Sequence, residues 1–567
     1  MANNNIVSPG IYINETDQSF IPDGIIQAGA AIVGPTVKGP VNVPQLVTSY
    51  AGYVAKFGDT IDSGSSTYSF FNSTAAYNYF NNGGESLLVS RVVRGTYTAA
   101  SASVTGSGST VSFQLNTISA GADQNSSGSE NSGGLLASGS KLNIRYEITS
   151  PNTSSGTFNL IIRRGDDDTN NKIILEQYNN VTLDPFDDNY IGKAVGTQYL
   201  SASGTGANVY TQVNGEYPTV SNYVYVSNIN DTPNYSDSLG NVRVSAYTAS
   251  VPSAGSGSFN GGTGALIAGA LFGKDITPTN ICGVSGSDYT ASFYLLNDTA
   301  YKYTSIAAPG LNYADHTSSL NILLTNTKNR ADSIAIIDLQ DYTDLSVSNA
   351  VTTAASINNS YAAAYFPWLL ASDPALGKLN WAPPSTFIAG VFAYNDSVGE
   401  PWFAPAGLNR GALPTVVRAQ KSLTKTDRDT LYAGKINPIT SFPNAGVVVF
   451  GQKTLQTKAS ALDRINVRRL LINIKQFLDS QAGNIVFEPN TQATRNNFLA
   501  IVNPYLESVQ QRQGLYAFKV VMDESLNSAA VIDRNELVGQ VYLQPTRTAE
   551  FIILNFNVQP TGASFPD

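Results

Sequence analysis

Ser333-Ile-Ala-Ile-Ile-Asp-Leu339 is an apolar run with no polar alternation, the pattern of a strand covered on both faces in a parallel sheet. Before it stand a second apolar run, opening at Ser305-Ile-Ala-Ala-Pro-Gly310, and a helical stretch that ends at Arg330. After it come a helix from Val347 to Asn359, a strand read through Tyr361-Ala-Ala-Ala-Tyr-Phe-Pro-Trp-Leu369, and the apolar Phe387-Ile-Ala-Gly-Val-Phe-Ala393. Strand and helix in alternation predict an α/β unit whose sheet is covered by helices.

The same pattern stands far upstream. Ala30-Ala-Ile-Val-Gly34 reads as a strand ended by Gly34-Pro35, a helix-like stretch runs to Phe57-Gly58, and a helix through Tyr77 is stopped by Gly83-Gly84 before a buried strand from Leu87 to Val93. Between the two halves, from about Thr96 to about Gly262, Ser, Gly, Thr and Asn dominate. Short β runs such as Phe158-Asn-Leu-Ile-Ile-Arg-Arg164 and Lys172-Ile-Ile-Leu-Glu-Gln-Tyr178 alternate there with turns, so a β domain is inserted and splits the α/β unit. The Gly/Ser tracts at Thr105–Ser109 and Ser119–Gly139 read as surface loops.

The 567-residue length implies several domains, and 30 Tyr and 24 Phe supply packed interiors. A net charge of -9 opposes a phosphate-binding surface, so no nucleic-acid partner is expected. No apolar stretch reaches the roughly 20 residues of a membrane helix, so no membrane insertion is expected. The single cysteine, Cys282, excludes an intrachain disulfide framework, and the absence of a secretory pattern at the N-terminus points to assembly in the cytoplasm. With one histidine, His316, neither a zinc cluster nor a working His-dependent triad is expected. Asp315 and Thr317 beside it read as capping residues for a following helix. The acidic runs Asp166-Asp167-Asp168 and Asp187-Asp188 read as solvated turns. No Gly-Lys-Ser/Thr follows the glycine clusters at Gly106 or Gly261, so no nucleotide or other cofactor is expected and the chain reads as a non-enzyme.

Ser8-Pro-Gly-Ile-Tyr12, Ala31-Ile-Val-Gly-Pro-Thr-Val-Lys-Gly-Pro40, Phe80-Asn-Asn-Gly-Gly84, Leu183-Asp-Pro-Phe-Asp-Asp-Asn-Tyr-Ile191, Arg330-Ala-Asp-Ser-Ile-Ala-Ile-Ile-Asp338 and Tyr365-Phe-Pro-Trp368 resemble motifs of the phage contractile tail sheath family. Ala382-Pro-Pro-Ser385, Pro401-Trp-Phe-Ala-Pro-Ala-Gly407, Lys435-Ile-Asn-Pro-Ile439, Gly451-Gln-Lys-Thr-Leu455, Arg464-Ile-Asn-Val-Arg-Arg-Leu470 and Phe487-Glu-Pro-Asn490 follow in the family's order. The resemblance implies an N-terminal arm (1–20), a first part of the core (21–95), an outward-facing β insertion (96–262) and an α/β domain like subtilisin without its catalytic role (263–400). It further implies an α+β C-terminal domain facing the tail tube (401–540) and a C-terminal arm (541–567). The implied partners are further copies in a helical sheath, the tail tube, and the baseplate and terminator or neck proteins of a virion. Bacterial contractile injection sheaths share this reading; a Ser/Gly-rich adhesin and an α/β hydrolase are the alternatives from other classes.

Leu462, Ile465, Leu470, Ile474, Phe477 and Leu478 recur at helical spacing, with Arg464, Arg468, Arg469 and Lys475 between them. The cations are either a solvated face or, as the resemblance implies, a surface meeting acidic groups of the tube. Ala549-Glu-Phe-Ile-Ile-Leu-Asn-Phe-Asn-Val558 is strongly β-forming and needs a partner strand. The resemblance implies strands donated to neighbouring subunits, with Ile11, Tyr12, Ile13, Phe551, Ile552, Ile553, Leu554 and Phe556 as the candidates.

Overall fold

The computed structural model describes residues 26–63, 66–264, 284–443 and 445–550. The first part of the core holds β1 (Ala30–Gly34), β2 (Gln45–Val47), α1 (Tyr50–Phe57), α2 (Phe71–Asn81) and β3 (Leu87–Arg91). The Ser49 hydroxyl caps α1 by accepting from the Gly52 N–H at 3.0 Å, and Gly58, at φ 71°, ends it.

The insertion contains β4 (Ala99–Thr105), β5 (Val111–Ala120), β6 (Ile144–Asn152), β7 (Thr157–Arg164), β8 (Ile174–Thr182), β9 (Val224–Ser227) and β10 (Gly255–Ser258). They form two antiparallel sheets, β8-β7-β6-β10 and β9-β5-β4. Alternation places Ala100, Ala102 and Val104 of β4 inward, and the Phe113 and Phe158 rings stack at 5.8 Å in a core of the insertion's own. Chain entry and exit run side by side: Ser101 and Asn260 exchange backbone hydrogen bonds of 2.8 and 3.0 Å. Buried Arg91, at the end of β3, donates to the carbonyls of Gly39 (2.6 Å) and Ala120 (2.7 Å), and so ties the insertion to the core.

The core resumes with β11 (Ser305–Asn312), α3 (Thr317–Arg330), β12 (Ile334–Asp338), α4 (Val347–Ala355), β13 (Ala362–Phe366), α5 (Ser385–Val398), β14 (Asn437–Phe442) and β15 (Gly446–Val449). One eight-stranded sheet runs β15-β14-β13-β12-β11-β1-β3-β2. Its six inner strands are parallel and its two edge strands antiparallel. The pairing of Ala31 with Ile306 closes the sheet across the insertion. Every residue of β1, β11, β12 and β13 is buried, which is why their sequences lack alternation. Phe387–Ala393 lies in α5, which packs on α2. Gly390 permits that approach, since a Cβ there would stand 2.8 Å from the Asn78 carbonyl oxygen.

Two sequence expectations are corrected. Tyr361–Leu369 is not one strand: β13 stops at Phe366, the Phe366–Pro367 bond is cis, and Leu369–Asp373 joins Lys378–Ala382 and Val416–Ala419 in a separate antiparallel sheet. Proline has no N–H to continue the ladder. The α/β unit also does not stop near residue 400, because β14 and β15 belong to its sheet and Leu455 to its core.

Beyond it lie α6 (Ile465–Gly483), α7 (Gln492–Gln511), β16 (Leu515–Val521) and β17 (Gln540–Pro545). Leu470 and Ile474 of α6 pack with Val502, Leu506 and Val509 of α7 and with Trp402 in a third apolar cluster. The chain is thus a multi-domain α/β and β protein. No helix among the described residues is long and apolar enough to cross a membrane.

Candidate assembly interface

β16 and β17 form a sheet of only two strands, so each has an edge without a strand partner among the described residues. Phe518, Val520, Val541 and Leu543 turn one face of this ribbon onto the helices. Tyr516, 65% exposed, and Tyr542 stand out from it. A ribbon with a half-buried inner face and edges without strand partners is a template for added strands. The candidate donated residues, Ile11, Tyr12, Ile13, Phe551, Ile552, Ile553, Leu554 and Phe556, lie outside the described residues.

The chain leading to residue 551 is held by Glu550. Its carboxylate accepts from Arg464 Nε (2.6 Å) and Nη2 (3.0 Å), from the Tyr432 hydroxyl (2.9 Å) and from Gln452 Nε2 (3.0 Å). Partial burial pushes this carboxyl up, and the donors of Arg464, Gln452 and Tyr432 outweigh it and hold the group below its usual range. The resulting stabilisation is present at neutral pH and is lost as pH falls through the carboxylate range. Glu550→Gln is expected to ease local opening of residues 546–550 by about 1 kcal/mol, read as faster amide hydrogen exchange there at pH 7.

The four cations of α6 and its cap do not share one solvent face. Arg464 is engaged by Glu550 and by Asp463 at 2.9 Å. Arg468, 3% exposed, lies 3.9 Å over the Tyr361 ring and donates to Ser360 Oγ (2.6 Å) and to the Ser360 carbonyl (3.2 Å). Arg469, 5% exposed, lies over Phe392 and pairs with Asp396 at 2.5 Å. Lys475 is exposed and donates to the Tyr361 hydroxyl at 2.9 Å. Stacking suits the planar guanidinium, so Arg468 and Arg469 brace α6 against the α/β core. That corrects the reading of a single basic surface.

The groups weighed for catalysis are also engaged within the chain. His316 is buried at the cap of α3 with Nδ1 3.2 Å from the Asn312 carbonyl oxygen. Neither neighbour caps the helix: the Asp315 carboxylate accepts from Asn312 Nδ2 at 2.9 Å, and the Thr317 hydroxyl donates to the Tyr313 carbonyl. Asp187 lies in an exposed turn where its carboxylate accepts from the Asn189 N–H. Asp167 overturns the solvated-turn reading, since it is buried and paired with Arg163 at 2.6 Å. Sequence reasoning passed over Asp338, which is buried at the end of β12 and accepts from the Ser385 N–H (3.0 Å) and Oγ–H (2.6 Å). Among the described residues no three His, Cys, Asp or Glu gather as a metal site.

Residues 283–455 match the phage tail sheath protein central domain, and residues 457–559 match the phage tail sheath C-terminal domain. The tail sheath protein of Vibrio phage KVP40 is 40% identical over 219 residues, 39% of this chain and 32% of that protein. That of Enterobacteria phage T4 is 38% identical over 187 residues, 33% of this chain and 28% of that protein. The matched stretch spans at most about a third of the length of these relatives. The crystal structure of a sheath tail protein from Listeria innocua shares the fold, with a TM-score of 0.52 at 10% identity over 92% of this chain and 95% of that one. Over residues 283–559 the chain thus carries, in sequence order, two domains of the phage tail sheath protein family.

Proposed function

We propose that this chain is the structural subunit of a contractile phage tail sheath. It polymerises helically around a tail tube and contracts as rigid subunits, linked through donated β-strands, rearrange and drive the tube through the host envelope for genome delivery. The observation that carries this reading is the contiguous pair of sheath domains over residues 283–559. The unpaired ribbon of β16 and β17 supports it as an acceptor, and the candidate donors are Ile11–Ile13 and Phe551–Phe556. In this reading the subtilisin-like α/β unit is the rigid body and the insertion faces outward. The C-terminal unit faces the tube, with exposed Lys475 as a candidate for contact with it. Baseplate and terminator or neck proteins cap the polymer, which is assembled in the host cytoplasm and functions in the virion. The net charge of -9 gives nucleic acid no role.

Contraction is downhill from a kinetically trapped lattice and consumes no nucleotide. Negative-stain electron microscopy of the purified chain tests the reading. Helical tubes from the intact chain, and none after removal of residues 551–567, are expected. Tubes that survive the deletion would move the linkage elsewhere, and an intact chain that stays monomeric beside tail tubes would refute the sheath role.

A further inference from the structure

Asparagine followed by glycine occurs three times, at Asn82-Gly83, Asn214-Gly215 and Asn260-Gly261. Without a Cβ the glycine nitrogen is open to approach and its backbone turns freely, so the carboxamide before it is exposed to attack from its own chain. The fold protects two of the three. Asn82 Nδ2 donates to the Asn78 carbonyl at 2.7 Å, and the Gly83 N–H donates to the Phe80 carbonyl at 3.1 Å. Asn214 Nδ2 donates to Ser201 Oγ at 3.0 Å, and a Cβ on Gly215 would stand 2.3 Å from the Thr197 carbonyl oxygen, so the backbone there has little room to turn. Asn260 is exposed, its carboxamide has no hydrogen bond among the described residues, and Gly261, at φ 80°, has nothing within 4 Å of the place a Cβ would take.

This pair lies where the insertion closes. Ser101 of β4 and Asn260 exchange backbone hydrogen bonds. Gly262 exchanges two more with the Asn125 side chain: its N–H donates to Oδ1 at 2.8 Å, and its carbonyl accepts from Nδ2 at 2.9 Å. Gly261 is the single residue between these two fastenings, and its N–H takes no part in either.

We infer that Asn260 is a site of spontaneous deamidation, and that the isoaspartate formed there unfastens the mouth of the insertion. The deprotonated Gly261 nitrogen attacks Asn260 Cγ; the new C–N bond closes a five-membered succinimide, the Cγ–Nδ2 bond breaks and the nitrogen leaves as ammonia. Water then adds to either ring carbonyl and reopens the ring, giving aspartate or isoaspartate. Aspartate adds a negative charge and keeps the backbone as it was. Isoaspartate also routes the main chain through Cβ and Cγ, one methylene longer, so the bonds to Ser101 and to Asn125 on either side of Gly261 cannot both keep their geometry. A subunit that has aged in this way holds its insertion by fewer bonds.

The test incubates the full chain at pH 8 and maps its peptides by mass, with an isoaspartyl methyltransferase to mark isoaspartate. Conversion at Asn260 is expected to run at least about fivefold faster than at Asn82 or Asn214, since each of those must first give up a hydrogen bond. In denaturant the three rates are expected to converge, which assigns the difference to the fold. Conversion is expected to quicken as pH rises, because the nucleophile is the deprotonated nitrogen, and to be lost in Asn260→Gln, whose longer side chain would have to close a six-membered ring. Hydrogen exchange reads the second step: the Ser101 and Gly262 amides of the aged chain are expected to exchange about tenfold faster than those of the fresh chain. Freshly made Asn260→Asp, which has the charge without the added methylene, is expected to exchange as the fresh wild type does. Equal conversion at the three sites of the folded chain, or conversion at Asn260 only in denaturant, would overturn the site. Unchanged exchange in the aged chain, or the same gain in fresh Asn260→Asp, would overturn the unfastening.

Discussion

Asp167→Ala is expected to destabilise the insertion by about 3–5 kcal/mol, whereas Asp166→Ala, one residue away, is expected to cost no more than about 1 kcal/mol. Asp167 accepts from Arg163 Nε (2.6 Å) and Nη2 (2.9 Å) and from the Ile173 N–H (3.0 Å), and it lies 3.6 Å from Arg145. Both arginines are buried, so removal of the carboxylate leaves charge that water cannot reach. Glu147 remains 2.9 Å from Arg163, and Glu130 remains beside Arg145, which sets the cost toward the lower end of the range. Asp166 pairs with Arg164 at a partly exposed site, where solvent screens the interaction and takes over when it is lost. Hydrogen exchange of the amides in β6, β7 and β8 compares the two variants. Equal effects would mean that the buried network does not hold β6, β7 and the turn after β7 together.

The contrast between these adjacent residues marks what a sequence can disclose. The apolar runs of β1, β11 and β12 were readable because burial on both faces leaves a local trace, a strand with no polar position. The inserted β domain was readable from a shift in composition at both of its ends. The fates of Arg468 and Arg469 were not, because their partners Ser360, Tyr361, Phe392 and Asp396 lie far away in sequence and only the fold brings them to α6. An arginine spaced for a solvated face and one spaced to stack on a distant ring look alike. Pro367 was legible as a break and was passed over, since the apolar residues on either side of it made one continuous run. The anchor at Glu550 had a weak signal, a lone carboxylate heading a β-forming stretch, but its donors Tyr432, Gln452 and Arg464 come from three separate places in the chain.

Asp338→Asn is expected to stabilise the α/β core at pH 8 by up to about 4 kcal/mol and by less than half as much at pH 5. Burial at the end of β12 pushes the Asp338 carboxyl up to about 7, with the Ser385 hydroxyl and N–H pulling it down only in part. In the unfolded chain the same group releases its proton near its ordinary value of 3.8. Between these values the folded chain holds a proton that the unfolded chain has lost, so stability falls as pH rises toward 7, and above that the full cost of a buried carboxylate is present. Asparagine imitates the protonated acid in size and neutrality: its Oδ1 accepts from the Ser385 N–H, and its Nδ2 donates to Ser385 Oγ. Ser385→Ala is expected to act in the opposite sense and steepen the pH dependence, because it removes the 2.6 Å donor that steadies the ionised form. Hydrogen exchange of β12, with unfolding in urea followed through Trp368, whose Nε1 donates to the nearby Gln340 carbonyl at 3.0 Å, reads the core separately from the other units. No gain for Asp338→Asn at pH 8 would show that the carboxylate sits there at no cost. Because the side chain is enclosed within the core, the stiffened subunit is expected to assemble as the wild type does, which would separate the strength of the rigid body from the links that join one body to the next.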